Sequence, residues 1–279
     1  MTAAPALTVV GAINLDLTAR VHRAPERGET VADGILTRTP GGKGANQAIA
    51  AARLGARVRM VGAVGDDATG TQLAENLDAA GVDVRGVQRA GEATGTALIV
   101  VDAVGENSIV VCPGANLGIA LDALDVDPHA AVLAQLEVPV AAVEAVADAT
   151  DGFFALNVSP AGVLTPRLLA RADLLIVNEA EFEAHPEVAG APLTAVTLGA
   201  RGAYLLRGGV EIARATVTAS EVVNTVGAGD AFAAALTVGL IRGDAPSAAL
   251  YRACAVGAAA VADDASQPAL AALDAYPGG

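Results

Sequence analysis

Lys43 is the single lysine among 17 basic residues, and it sits between glycines in "GGKGAN" (41–46). Glycines let a backbone approach a neighbour closely. The loop then opens a helix, whose N-terminus favours anions and polar groups. No Ser or Thr follows the Gly-Lys pair, so the metal-binding half of a Walker A loop is missing. A solvated lysine on a glycine turn is the plainer alternative. In "VVNTVGAGDAFAAAL" (222–236), Gly227, Ala228 and Gly229 precede a long helix and Asp230 falls in its first turn. The free N–H groups there form an anion-binding end. An acid at that place is also favoured by the macrodipole alone. A backbone anion hole beside a carboxylate suits phosphoryl transfer to an alcohol. The hole stabilises charge on the moving group, and the carboxylate takes the hydroxyl proton. Phe232 stands where a third glycine would complete GxGxxG, so the dinucleotide-binding pattern is not met.

"GAINLD" places Asn14 and Asp16 just after an apolar run. Ligands of open α/β sheets lie at the carboxyl ends of strands. Asn both donates and accepts, and Asp accepts twice, which suits a polyol; an ordinary β-turn would use the same residues. Glu137 closes the run "AVLAQLE" in a similar position. In "NEAE", Asn178 and Glu181 share a helical face. They could offer oxygen atoms to Mg²⁺ through water, or form a capping box. Thr197, Gly199 and Gly202 in "TLGARG" make a tight turn after a strand, either a shelf for a nucleotide or a plain hairpin.

These residues need a scaffold. Hydrophobic residues make up 53% and aromatics 3% of the 279 residues, a composition for helices packed on an aliphatic sheet and against disorder. "LTVVGAI" (7–13), "RVRMVGAVG" (57–65), "AAVLAQLE" (130–137), "FFALNVSP" (153–160) and "DLLIVN" (173–178) read as buried strands. "TAVTLGARGAYLL" reads as strand, turn and strand. Helices are expected over 44–56, ending at Gly55, over 67–81, over 139–150, over 227–243 and over 245–262. The alternation indicates a three-layer α/β/α architecture with a mostly parallel sheet. Residues 15–40 and 94–112 alternate in polarity and read as a small β lid, the second with a turn at Gly105–Asn107. No linker or repeat breaks the chain, so 1–279 reads as one domain.

A formal charge of −14 argues against a nucleic-acid partner. Cys112 and Cys254 form no CxxC pair, and His22, His129 and His185 lack metal-like spacing; all three histidines are expected at the surface, and Cys254 in the core. The start has no signal-peptide pattern, and no apolar run reaches the ~18 residues of a membrane span. A cytoplasmic location and no membrane partner are expected.

Taken in order, "GAINLD", "GGKGANQA", "GENSIVVCPGAN", "QLE", "NEAE", "TLGARG" and "NTVGAGDAF" resemble the ribokinase-like (PfkB) family of sugar and nucleoside kinases. The resemblance spans nearly the whole chain, and "GGKGAN" and "PGAN" are most similar to the ribokinases within it. It implies transfer of the γ-phosphoryl group of ATP, with Mg²⁺, to the 5-hydroxyl of D-ribose, giving ribose 5-phosphate. Asn14, Asp16, Gly42, Lys43, Asn46 and Glu137 would then hold the sugar. Asp230 would be the base, with Gly227, Ala228 and Gly229 as the anion hole. Asn178, Thr197, Gly199 and Gly202 would contact the nucleotide, and Asn178 and Glu181 would support Mg²⁺. The resemblance also implies a homodimer through the lid. A nucleoside kinase, a kinase for another sugar and a non-catalytic sugar-binding protein remain alternatives.

Three departures stand out. Asn224 occupies the place of an Asp that helps these enzymes bind a monovalent cation, and Ala265 and Ala269 replace Gly and Ser nearby, so weak or absent K⁺ dependence is expected. A helix usual in the family is missing between Ala184 and Thr194. Cys254 replaces a His near the adenine.

Overall fold

Residues along the central strands point alternately into two separate cores, and both cores are closed by helices. The computed structural model describes residues 4–104, 106–124 and 126–279. Leu7 and Val9 of β1 (Ala6–Val10) face one core with Leu133 of β8 (Ala131–Gln135) and Ile176 of β10 (Leu174–Asn178). Val10, Val132, Ala134, Leu175 and Val177 face the other. This two-residue period without a polar face is what a strand covered on both sides requires. Each fully buried Leu or Val contributes about 1.5–3 kcal/mol.

The first core is covered by α1 (Lys43–Arg53), α2 (Ala68–Ala79), α6 (Ala228–Ile241) and α7 (Pro246–Ala260). The second is covered by α3 (Val140–Ala149) and α4 (Pro166–Arg171). The remaining main-sheet strands are β4 (Arg57–Gly65), β5 (Asp83–Ala90), β9 (Phe154–Asn157), β11 (Thr194–Thr197), β12 (Ala203–Arg207) and β13 (Val210–Ala215). Among the described residues the order is β13-β12-β11-β10-β9-β8-β1-β4-β5. Pairing is parallel from β11 to β5. It is antiparallel between β11, β12 and β13. The result is the expected three-layer α/β/α fold.

A second sheet stands on the first. Its order is β3-β2-β6-β7, from β2 (Asn14–Arg20), β3 (Ile35–Gly41), β6 (Gly95–Val101) and β7 (Asn107–Cys112). It joins the two segments expected to pair, with Asn14 opposite both Gly41 and Gly95. The turn expected at Gly105 lies outside the described residues.

Some expectations need correction. The strand expected over 7–13 ends at Val10, and the chain enters the second sheet at Asn14. There the Ile13 N–H leaves the main sheet for the side chain of Asn116 (3.0 Å). Two edge strands, β5 and β13, went unread, because their sequences "DVRGVQRA" and "VEIARA" carry the charges that exposed sheet edges tolerate. His185 is half-buried, with Nε2 2.9 Å from the Gly162 carbonyl oxygen. In place of the missing helix, α5 (Glu179–Ala184) passes into a 3₁₀ turn at Pro186–Gly190. That turn buries Val188 completely against the second core, and the Thr194 hydroxyl donates to its carbonyl (2.5 Å). A single short turn thus seals the sheet.

Candidate active site

The glycines of "GGKGAN" are required first by the protein's own backbone. Gly42 caps α1 at φ 88°, and a Cβ there would lie 2.6 Å from the Ala12 carbonyl oxygen. A Cβ on Gly44 would lie 2.6 Å from the carbonyl carbon of Gly11. The loop therefore presses on the segment that links the two sheets, and only glycine fits. This seats Lys43 at the first turn of α1, at the carboxyl end of the sheet. Gly227 plays the matching part for α6. It holds φ 82°, and its Cβ would meet the Ser266 carbonyl oxygen at 2.0 Å. Gly229 faces open space. In the first turn of α6 the Ala228 N–H donates to the Thr225 carbonyl (3.4 Å), while the Gly229 and Asp230 N–H groups have no intrahelical acceptor and are aimed at whatever lies beyond.

Two cavities meet at that helix start. The first, about 590 Å³, is lined by Asn14, Asp16, Gly42, Lys43, Asn46, Glu137, Asn224, Gly227, Gly229 and Asp230. The second, about 420 Å³, is lined by Thr197, Gly199, Gly202, Ala228 and Gly229, and Cys254 sits in its wall. Val222, Thr225 and Gly229 line both. The first is polar at its floor, with the aliphatic Ile99, Ile109 and Val111 of the second sheet above. The second is mostly apolar, with Val217, Phe232 and Val261 in its lining.

Electrostatics in the first cavity are those of crowded carboxylates around one cation. Burial, then the charges of Glu137 and Asp230, pushes Asp16 up to about 7. Burial also raises Glu137, against the Lys43 charge and the Lys43 backbone N–H that donates to its Oε2 (2.8 Å). For Lys43 burial works against the charged form, but Asp230, Glu137 and Glu181 together outweigh it and its pKa is raised. Lys43 is therefore the counter-ion of the site and stays charged. In the second cavity burial pushes the Cys254 thiol up to about 11, and its sulfur donates to the Ala215 carbonyl (3.6 Å). This is an inert thiol.

Asn178 and Glu181 line neither cavity. They form the capping box of α5: Asn178 Oδ1 accepts from the Glu181 N–H (2.8 Å), and Glu181 Oε2 accepts from the Asn178 N–H (2.8 Å). Asn178 pairs in register with Thr197, which does line the second cavity. Glu181 is buried, and close enough for its charge to act on Lys43. Asn224 spans a turn: Nδ2 donates to the Asp264 carbonyl (2.8 Å) and Oδ1 accepts from the Val226 N–H (3.0 Å). Thr197, Gly199 and Gly202 lie on a hairpin turn that also borders the second cavity.

Three side-chain amides outside the expected set, Gln47, Gln267 and Asn116, hold members of it. Asn46 Nδ2 donates to Asp230 Oδ2 (3.1 Å) and Gln47 Nε2 donates to Asp230 Oδ1 (2.9 Å). Gln267 Nε2 donates to Asn46 Oδ1 (3.1 Å). Asn116 Nδ2 donates to Asn14 Oδ1 (2.7 Å). Because Asn116 Oδ1 is held by a backbone N–H, its amide polarity is fixed, and Asn14 is left with its N–H₂ free for the cavity. The available signal was a pair of adjacent amides, Asn46 and Gln47, at the start of an otherwise apolar helix.

The pattern described as pfkB family carbohydrate kinase matches residues 4–272. A ribokinase of Bacillus subtilis (strain 168) is 39% identical over 261 residues, covering 88% of each protein. The structure of Arabidopsis thaliana ribokinase complexed with ribose and ATP superposes with a TM-score of 0.84 at 30% identity, over 97% of each chain. Burkholderia thailandensis nucleoside kinase, in complex with inosine, has the same fold at a TM-score of 0.84 and 22% identity, over 97% of this chain and 95% of that one. With a family match over nearly all of its length, the chain belongs to the pfkB family of carbohydrate kinases.

Proposed function

We propose that this protein is an ATP-dependent kinase that phosphorylates D-ribose on its 5-hydroxyl. The observation that carries the reading is the meeting of a polar cavity and an apolar one at the first turn of α6, where Gly229 borders both and Asp230 stands in the polar one. The sugar would lie in the first cavity, with Asp16 and Glu137 accepting from its hydroxyls and the free N–H₂ of Asn14 donating to one. The adenine and ribose of ATP would lie in the second, over the Thr197–Gly202 turn, placing the γ-phosphoryl at the open amides of α6. Asp230 then takes the proton from the attacking hydroxyl. The helix amides and Lys43 stabilise charge spread over the transferred group. A compact ammonium fits among these carboxylates where a broader guanidinium would not.

Among the described residues no group of three or more Asp, Glu, His or Cys forms a ready metal site. Mg²⁺ keeps most of its waters and binds through substrate phosphates and one or two carboxylates. Glu181 would hold it through water, and it would neutralise phosphate charge. Asn224 offers an amide where a carboxylate would attract K⁺, so K⁺ plays little part in this reading. The exposed Leu36, Leu98 and Val110, on the face of the second sheet turned away from the cavity, would be covered by a second copy, making that sheet both lid and dimer interface. Residues 1–279 would work as one domain, in the cytoplasm; no helix among the described residues is long and apolar enough to cross a membrane.

One observation favours a second reading, a nucleoside kinase: the aliphatic wall of Ile99, Ile109 and Val111 could pack against a base. Release of ADP from Mg-ATP, measured with ribose, 2-deoxyribose, fructose, fructose 6-phosphate, adenosine and inosine, tests both. Ribose turnover that collapses in Asp230→Asn supports the first. Turnover confined to nucleosides would replace it with the second.

A further inference from the structure

We infer that Gln47 is a positioning residue: it fixes the orientation of the Asp230 carboxylate through an amide relay whose polarity is set from both ends. The inference rests on the reading of Asp230 as the base.

At one end is a backbone carbonyl. Asn157 Nδ2 donates to the Ile176 oxygen (3.1 Å), and a carbonyl oxygen can only accept. Asn157 must then turn its own oxygen toward Gln47, whose Nε2 lies 3.1 Å away. At the other end is the carboxylate of Asp230, 2.9 Å from the same Nε2. Both hydrogens of the Gln47 amide are committed, one to each acceptor. A flipped Gln47 would set its oxygen against two other oxygens. Its own Oε1 accepts from Gln135 Nε2 (2.5 Å), which holds the amide from behind.

Burial makes the arrangement rigid. Gln47 and Gln135 are each 0% exposed, so no solvent can replace a lost partner. Gln135 reaches Gln47 although its own Oε1 has no hydrogen-bond partner. A buried carbonyl left unmet is costly, so this contact is retained at the expense of local satisfaction. With Gln47 on Oδ1 and Asn46 on Oδ2, rotation of the Asp230 carboxylate about its Cβ–Cγ bond breaks a bond at each oxygen. One lone pair on each oxygen remains for the incoming hydroxyl. Gln47 touches neither cavity, since it lines neither. Of its three side-chain partners, Gln135, Asn157 and Asp230, only Asp230 lines a cavity.

The test is steady-state kinetics of Gln47→Leu, Gln47→Glu and Asp230→Asn with Mg-ATP and D-ribose, alongside thermal unfolding. The Leu variant removes both donors. The Glu variant keeps the volume and the acceptor for Gln135 but sets an acceptor opposite Asp230. For a base displaced by about an ångström, kcat falls roughly 100-fold. KM for ribose and for ATP stays within about threefold, because no ground-state contact is lost. If Gln47→Leu does not fold, the folded Gln47→Glu decides in the same way. A kcat within about twofold of the parent in a folded variant, or a rise in either KM that accounts for the whole loss of kcat/KM, overturns the inference. Asp230→Asn separates the two ideas. If it retains turnover, the base reading fails and the positioning role with it. If it is inactive while the Gln47 variants behave as the parent does, only the positioning role fails.

Discussion

Asp16 should make sugar affinity depend on pH within the physiological range. Its carboxyl is buried in the first cavity, facing Glu137, Asp230 and Lys43, and burial with the two like charges pushes it up to about 7. Only the ionised form accepts from two sugar hydroxyls without spending an oxygen on its own proton. The direction follows from that. Affinity is present above pH 7 and lost as pH falls through it. For a single group near 7, the ionised fraction is about 0.91 at pH 8 and about 0.09 at pH 6, so apparent KM for ribose rises roughly tenfold. That factor corresponds to about 1.4 kcal/mol of binding. The assay is initial-rate kinetics from pH 6 to 8.5, with KM for ATP measured in the same buffers as the control. Asp16→Asn should bind ribose more weakly at pH 8 and show a flat profile. A constant ribose KM in the parent across that range, or an unchanged slope in Asp16→Asn, would refute the argument.

Lys43→Arg should lower kcat/KM for ribose strongly while the fold survives, since the guanidinium cannot take the place of a compact charge between Glu137, Asp230 and Glu181; near-parental kinetics would count against it. Gly227→Ala should lower both kcat and the unfolding temperature, because φ 82° and a 2.0 Å clash with the Ser266 carbonyl oxygen force the start of α6 to move; calorimetry and turnover on the same sample check this. Rates in Na⁺, K⁺ and choline buffers should be similar in the parent, since the Asn224 amide itself ties the Asp264 carbonyl; Asn224→Asp loses that donor and should respond to K⁺. Cys254→Phe should fill part of the second cavity and raise KM for ATP at least about tenfold while ribose KM holds.

Local signals carried much of this molecule. Largely apolar runs announced β1, β4, β8, β9 and β10, because strands covered on both faces need little polar alternation. Gly42, Gly55, Gly81 and Gly227 marked helix ends, because each holds a positive φ that other residues resist. The edges were harder. β5 and β13 are polar and largely solvent-facing; β5 pairs with β4 only across an intervening helix, whereas β13 folds back on β12 over the Gly208–Gly209 turn. "NEAE" could be read two ways, and the capping box emerged only with the backbone of α5 in place.

What the sequence determined by itself was the succession of the covered strands and of the long helices, and the polar residues placed near their ends: Asn14, Asp16, Lys43, Glu137 and Asp230. Those depend on periodicity and on backbone conformations that act within a few residues. What only the tertiary structure decided was which polar groups meet. Gln47 and Asp230 are 183 positions apart, and Asn14 and Asn116 are 102 apart. No local rule pairs them. They are joined because each buried donor in a close-packed interior must find an acceptor, and the fold determines which one is within reach.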